Sequence, residues 1–231
     1  MKSSYYKYFA ALLLFGSNGI VASNINLPSY EIVLLRLLLG SLFLITVFTV
    51  SRQRFTFYRN KHTCLYLFIS ASAMGASWML LYEAYQQVGI SIASLAYYCG
   101  PVIVMILSPF LFRETLTWPK IAGFLTVLAG MCLVNLQALD EGKTIWGLFC
   151  GLMSAFMYAL MVTANKKAKP ESGLENSLLQ LVIGSFIVVA FVSMQKNFVL
   201  SLTTIDWIPV LLLGLLNTGI GCYLYFSSIT D

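Results

Sequence analysis

Charge is what this sequence has least of. Asp, Glu, Lys and Arg make up 10% of its 231 residues, against about a quarter in an average soluble domain. So few charges leave a chain of this size unable to cover itself in water, and 59% apolar content excludes disorder. Histidine is nearly absent: His62 stands alone in a polar loop, so no Ser-His dyad and no His-Glu-x-x-His zinc site can form in an apolar stretch. No apolar stretch contains an aspartate, which removes a two-Asp protease, and no Gly-rich phosphate loop is present to bind a nucleotide. The expectation is a protein that is not an enzyme, holds no cofactor or metal, and uses no ATP. Five cysteines (Cys64, Cys99, Cys132, Cys150, Cys222) lack any Cys-x-x-Cys spacing and read as packing residues.

What the sequence does have is eight apolar stretches near 7–26, 30–50, 64–87, 90–112, 119–138, 144–165, 175–195 and 207–229. Each is about the 20 residues a helix needs to cross a bilayer. Lipid offers backbone groups no partner, and the runs do not alternate as barrel strands would, so helices are expected. The fold expected is therefore all-α, a polytopic transmembrane helix bundle. A positive start and a small-residue site near Val21-Ala22-Ser23 also fit a cleaved signal peptide, but further spans follow at once.

Assigning alternate loops to opposite sides collects Lys2, Lys7, Arg52, Arg54, Arg59, Lys61, Arg113, Lys120, Lys166, Lys167 and Lys169 on one side and Lys143 and Lys196 on the other. Eleven against two is a positive-inside bias, which predicts a cytoplasmic N-terminus. The net charge of +5 is thereby accounted for by topology, with no nucleic acid expected as partner.

One internal offset, 144 residues, recurs in two places. Arg36, Gly40 and Ser41 fall on Gln180, Gly184 and Ser185, while Gly75, Leu80 and Tyr82 fall on Gly219, Leu224 and Phe226. The repeat unit would hold five spans, and an odd unit inverts its second copy, as in alternating-access transporters. The expected division is 1–138 for a first repeat and 139–231 for a second, incomplete one of three spans. Truncation of a longer protein is the reading favoured here. The alternative is a non-transporting membrane subunit whose missing helices come from a partner or a second copy.

Candidate site residues concentrate on the third span. Trp78, Tyr82 and Tyr85 share one helical face, with Glu83 on the adjoining one, and Tyr98 follows on span four. Trp78 lies about 16 Å from Gly89 by helical rise, near the midplane, where an aromatic stripe serves either as a cavity wall or as core packing. Arg36 and Glu83 are the charges well inside the spans, at matched depth, so an interhelical ion pair is expected. Such a pair either locks spans two and three together or faces the pathway, with Arg36 taking a substrate carboxylate and Glu83 an ammonium or a coupling proton. Asn18, Asn217 and Tyr158 lie at mid-depth, and membrane asparagines often link helices. Gly147, Gly151, Gly123, Gly130 and the Ser70–Ser77 run read as close helix contacts, and Cys99-Gly100-Pro101 and Pro109 as bends.

Residues 91–135 carry Ser91-Ile-Ala-Ser-Leu-Ala-Tyr-Tyr-Cys-Gly-Pro101, then Phe110-Leu-Phe-Arg-Glu114, then Gly123 and Gly130. This stretch resembles the end of an EamA domain of the drug/metabolite transporter superfamily, and Arg36-Leu-Leu-Leu-Gly40 is similar to its second span. The resemblance implies two inverted five-span repeats, a central cavity between them, and secondary export of a small metabolite such as an amino acid. It makes Trp78, Tyr82, Tyr85 and Tyr98 expected wall residues. Glu114 is expected to cap or pair at the end of span four without touching substrate.

Overall fold

The computed structural model describes residues 2–113, 117–135, 145–194 and 207–230, and among them all regular structure is helical. In chain order the helices are α1 (Lys2–Gly16), α2 (Asn18–Ala22), α3 (Ser29–Val50), α4 (Lys61–Tyr97), α5 (Cys99–Phe112), α6 (Trp118–Asn135), α7 (Ile145–Ala168), α8 (Gly173–Ser193), α9 (Trp207–Leu211) and α10 (Gly221–Thr230). A 3-10 turn, Phe57–Arg59, precedes α4, and a π-helical stretch, Leu212–Ile220, joins α9 to α10 in one rod. Five stretches are long and apolar enough to cross a membrane: Tyr30–Val50, Lys61–Phe112, Ile145–Ala168, Gly173–Ser193 and Trp207–Ile229.

The longest of these is not a single straight rod. Gly89 has φ 78° and ψ 161°, a combination that only glycine adopts readily. A β-carbon on Gly151 of α7 would touch both Ala96 and Ala84, two residues that a straight helix would hold about 18 Å apart. The chain therefore reverses at Gly89, and the apolar stretches read as 64–87 and 90–112 run back against each other. A second break at Tyr98 separates α4 from α5, just ahead of Gly100 and Pro101. Pro109 lies within α5 without ending it.

The two arms of α4 pack along α7, and α3 packs against α8. Small residues make the first contact close. Ser77 Oγ donates to the Ser154 carbonyl at 2.9 Å, and Ser154 Oγ returns a bond to the Ser77 carbonyl at 2.7 Å. Ser70 Oγ reaches the Met161 carbonyl in the same seam at 2.9 Å. The opposite faces of these helices carry exposed apolar ridges, Leu38, Leu42 and Ile45 on α3 and Leu152, Phe156 and Leu160 on α7. Such ridges suit lipid contact, since water would drive them together.

Positions 144 apart meet in the middle of the bundle. The hydroxyls of Ser41 and Ser185 are 3.0 Å apart. A β-carbon on Gly40 would meet Thr218 and Leu181, and one on Gly184 would meet Met74 and Leu37, in each case the counterpart at the same offset. Reciprocal contacts of this kind are what a two-fold rotation generates. The close contacts read into Gly123 and Gly130 are not found, since no atom among the described residues lies within 4 Å of a β-carbon placed there. Glu114, Lys143 and Lys196 lie outside the described residues.

Candidate functional site

A cavity of about 140 Å³ opens between α1, α3, both arms of α4, α7 and α10. About half of its wall is aromatic: Trp78, Tyr82, Tyr85, Tyr97 and Tyr98 from one side, Tyr8, Phe15, Tyr158, Tyr225 and Phe226 from the other. The i, i+4, i+7 spacing of Trp78, Tyr82 and Tyr85 places all three on the inward face of α4. The reversal at Gly89 then returns Tyr97 and Tyr98 to the same space. Tyr97 meets Tyr158 edge-on at 5.4 Å between ring centres, and the Tyr158 and Tyr225 hydroxyls are 3.0 Å apart.

Arg36 is the one charged side chain in the described wall, and it is 1% exposed. Its Nε donates to Thr218 Oγ1 at 2.9 Å and its Nη1 to the Tyr82 hydroxyl at 2.5 Å. The guanidinium carbon lies 4.1 Å from the Trp78 ring centre and 5.3 Å from that of Tyr82, so the ring faces supply part of the compensation a buried cation needs. Nη2 has no hydrogen-bond partner among the described residues. A buried donor without a partner forfeits about 1–3 kcal/mol, more when charged, and a guanidinium presents its donors in a planar fork suited to a carboxylate.

Thr218 reaches Arg36 because the rod that carries it is π-wound there. Its hydroxyl donates to the Leu213 carbonyl five residues back at 2.8 Å while accepting from Arg36, and such local windings recur at functional positions. The preceding residue, Asn217, holds the break between α1 and α2. Its Nδ2 lies 2.9 Å from the Leu14 carbonyl, Ser17 Oγ and Asn18 Oδ1. Asn217 is thus a helix-linking asparagine, and the neighbour it holds, Asn18, lines the cavity.

Of the residues singled out from sequence, Arg36, Trp78, Tyr82, Tyr85, Tyr98 and Asn18 come together around this cavity, and Glu83 does not. The expected Arg36–Glu83 ion pair is corrected: the guanidinium bonds Thr218 and Tyr82, while the Glu83 carboxylate accepts from Gln87 Nε2 at 3.1 Å. The cause is helical geometry. Glu83 follows Tyr82 by one residue, a rotation of about 100°, so turning Tyr82 inward turns Glu83 away. Sequence reasoning missed Thr218 and Tyr225. Tyr225 was within reach, since its neighbour Phe226 is the 144-residue counterpart of Tyr82, but nothing in Leu-Asn-Thr-Gly marks Thr218.

The model of the EamA-like transporter family matches residues 3–136 and 145–231. The "Uncharacterized transporter YxxF" of Bacillus subtilis (strain 168) is 26% identical over 230 residues, covering 96% of this chain and 72% of its own length. The "Uncharacterized transporter in sor 3'region" of Acidianus ambivalens is 27% identical over 130 residues, covering 56% of this chain and 50% of its own. A solved protein structure superposes with a TM-score of 0.76 over 100% of this chain and 80% of the other, at 18% identity. At that identity the likeness speaks for the fold alone.

Proposed function

From the premise that the chain belongs to the EamA-like transporter family, and is a multi-pass membrane transporter acting on a small molecule, we propose that its substrate is a small metabolite bearing a carboxylate, of amino-acid size. The carboxylate is held by Arg36 in the central cavity and the rest of the molecule lies against the aromatic wall. The observation that carries this reading is the Nη2 of Arg36, which has no hydrogen-bond partner among the described residues while Nε and Nη1 each donate to a hydroxyl. An anion with two oxygens supplies the acceptor that the protein does not.

The transport cycle we propose is alternating access between two inverted repeats, 1–138 and 139–231, with export as its direction and without ATP. Support comes from the reciprocal contacts at the 144-residue offset, Ser41 with Ser185 and the Gly40 and Gly184 pairs, because transporters of this design rock one repeat against the other about a central site. The location proposed with it is the plasma membrane, and the positive-inside bias supports a cytoplasmic N-terminus there.

Efflux from proteoliposomes loaded with labelled small carboxylates tests the reading. Efflux above that of protein-free vesicles, abolished in Arg36→Gln, is expected. If efflux is found but Arg36→Gln retains it in full, the carboxylate assignment is refuted.

A further inference from the structure

Resting on the reading of Arg36 as a carboxylate site, we propose that the substrate is a monoanion, a carboxylate on an apolar or phenolic body, and that the cavity disfavours the zwitterionic α-amino acid with the same body. The wall chemistry is one-sided. Among its described residues there is one cation and no carboxylate. Glu83, the acid beside Tyr82 in sequence, is outside the wall with its carboxylate on Gln87. An α-amino acid brings its ammonium within two bonds of the carboxyl carbon, so seating the carboxylate on Nη2 sets the ammonium beside the guanidinium. Two like charges would then share a low-dielectric pocket with no acid to offset them.

Several of the groups that could hold an ammonium near that point are already engaged. The Trp78 face and the Tyr82 ring carry the guanidinium at 4.1 and 5.3 Å, so a second cation there would compete for the same quadrupole. The Asn18 carbonyl oxygen accepts from Asn217, and the Tyr82 hydroxyl accepts from Arg36. The walls beyond carry rings, Met74, Met161 and Leu81, with only neutral polar groups such as Ser94 and the tyrosine hydroxyls among them, which suits an uncharged apolar or phenolic body.

Three probes with the same phenylethyl body separate the charges: 3-phenylpropanoate, L-phenylalanine and phenethylamine, titrated against the full chain in nanodiscs by calorimetry. The expected result is that phenylpropanoate binds at least about tenfold more tightly than phenylalanine, that phenethylamine does not bind, and that Arg36→Gln removes the phenylpropanoate signal while Arg36→Lys keeps part of it. Asn18→Asp retains the acceptor for Asn217 and adds the missing carboxylate, so it should narrow the gap between phenylalanine and phenylpropanoate. Phenylalanine binding as tightly as phenylpropanoate, and in an Arg36-dependent way, would overturn the monoanion proposal and leave the carboxylate reading standing. Tightest binding of phenethylamine, binding indifferent to both Arg36 variants, or no binding of any probe at millimolar concentration would overturn both.

Discussion

Replacing Arg36 with Met separates a stabilising role from a binding role, because the structure sets opposite expectations for the two. The guanidinium makes two hydrogen bonds from a charged donor, about 1.5–3 kcal/mol each. Its contact with the desolvated Trp78 face adds roughly 2 kcal/mol. Against these stands the penalty of burying a cation, still several kcal/mol after relaxation. The terms nearly cancel, and Met returns much of the apolar volume while demanding no partner. Thr218 keeps its bond to the Leu213 carbonyl, and the Tyr82 hydroxyl is free to rotate toward the cavity. The expected change in stability is therefore within about 2 kcal/mol of zero, in either direction. Carboxylate binding, by contrast, loses its charged partner, which costs about 2–5 kcal/mol, or at least roughly 30-fold in Kd. The assay pairs a tryptophan-fluorescence melt of the detergent-solubilised protein with carboxylate titration of the same preparation. A large fall in melting temperature with binding intact would refute the reasoning, since it would make Arg36 a structural tie and not a substrate group.

Glu83→Gln is expected to leave efflux and its pH dependence within about twofold of the parent, since Glu83 lies outside the cavity wall and glutamine keeps an acceptor for Gln87; a tenfold loss in the efflux assay would restore a coupling role. Gly89→Ala places a β-carbon where nothing lies within 4 Å, so its cost is purely that of φ 78° in a region reserved for glycine, about 1–3 kcal/mol in a thermal melt. Gly123→Ala in α6 meets the same open space without positive φ and should be neutral or stabilising by about 0.5–1 kcal/mol. Asn217→Ala strands the acceptors at the α1–α2 break and should destabilise by about 1–3 kcal/mol, measured by the same melt, with Asn217→Asp worse because it swaps the donor for a fourth acceptor. Tyr158→Phe removes one hydroxyl pair at 3.0 Å, worth about 1 kcal/mol, and should slow efflux less than Arg36→Gln does.

The legible part of this molecule was what one helix or one offset can carry. The apolar stretches, the turn at Gly89 and the inward face of Trp78, Tyr82 and Tyr85 each depend on local spacing, and the 144-residue offset named one pair, Ser41 with Ser185, that is in contact. The illegible part was what depends on the exact rotation of one rod against another. Small residues permit close approach without requiring it, so Gly151 is packed while Gly123 faces open space. The π-wound stretch 212–220 turns Thr218 toward Arg36, and an apolar run that could be wound either way leaves no mark of it. The physics behind the expected ion pair was sound in its premise, that a cation inside a bilayer must be answered. It erred in supposing that only a carboxylate could answer. A hydroxyl from Thr218, another from Tyr82 and the Trp78 face answer the guanidinium on two nitrogens without a negative charge, so the third nitrogen, which has no partner among the described residues, is where the proposed carboxylate would sit, a place that a fixed Glu83 partner would have taken.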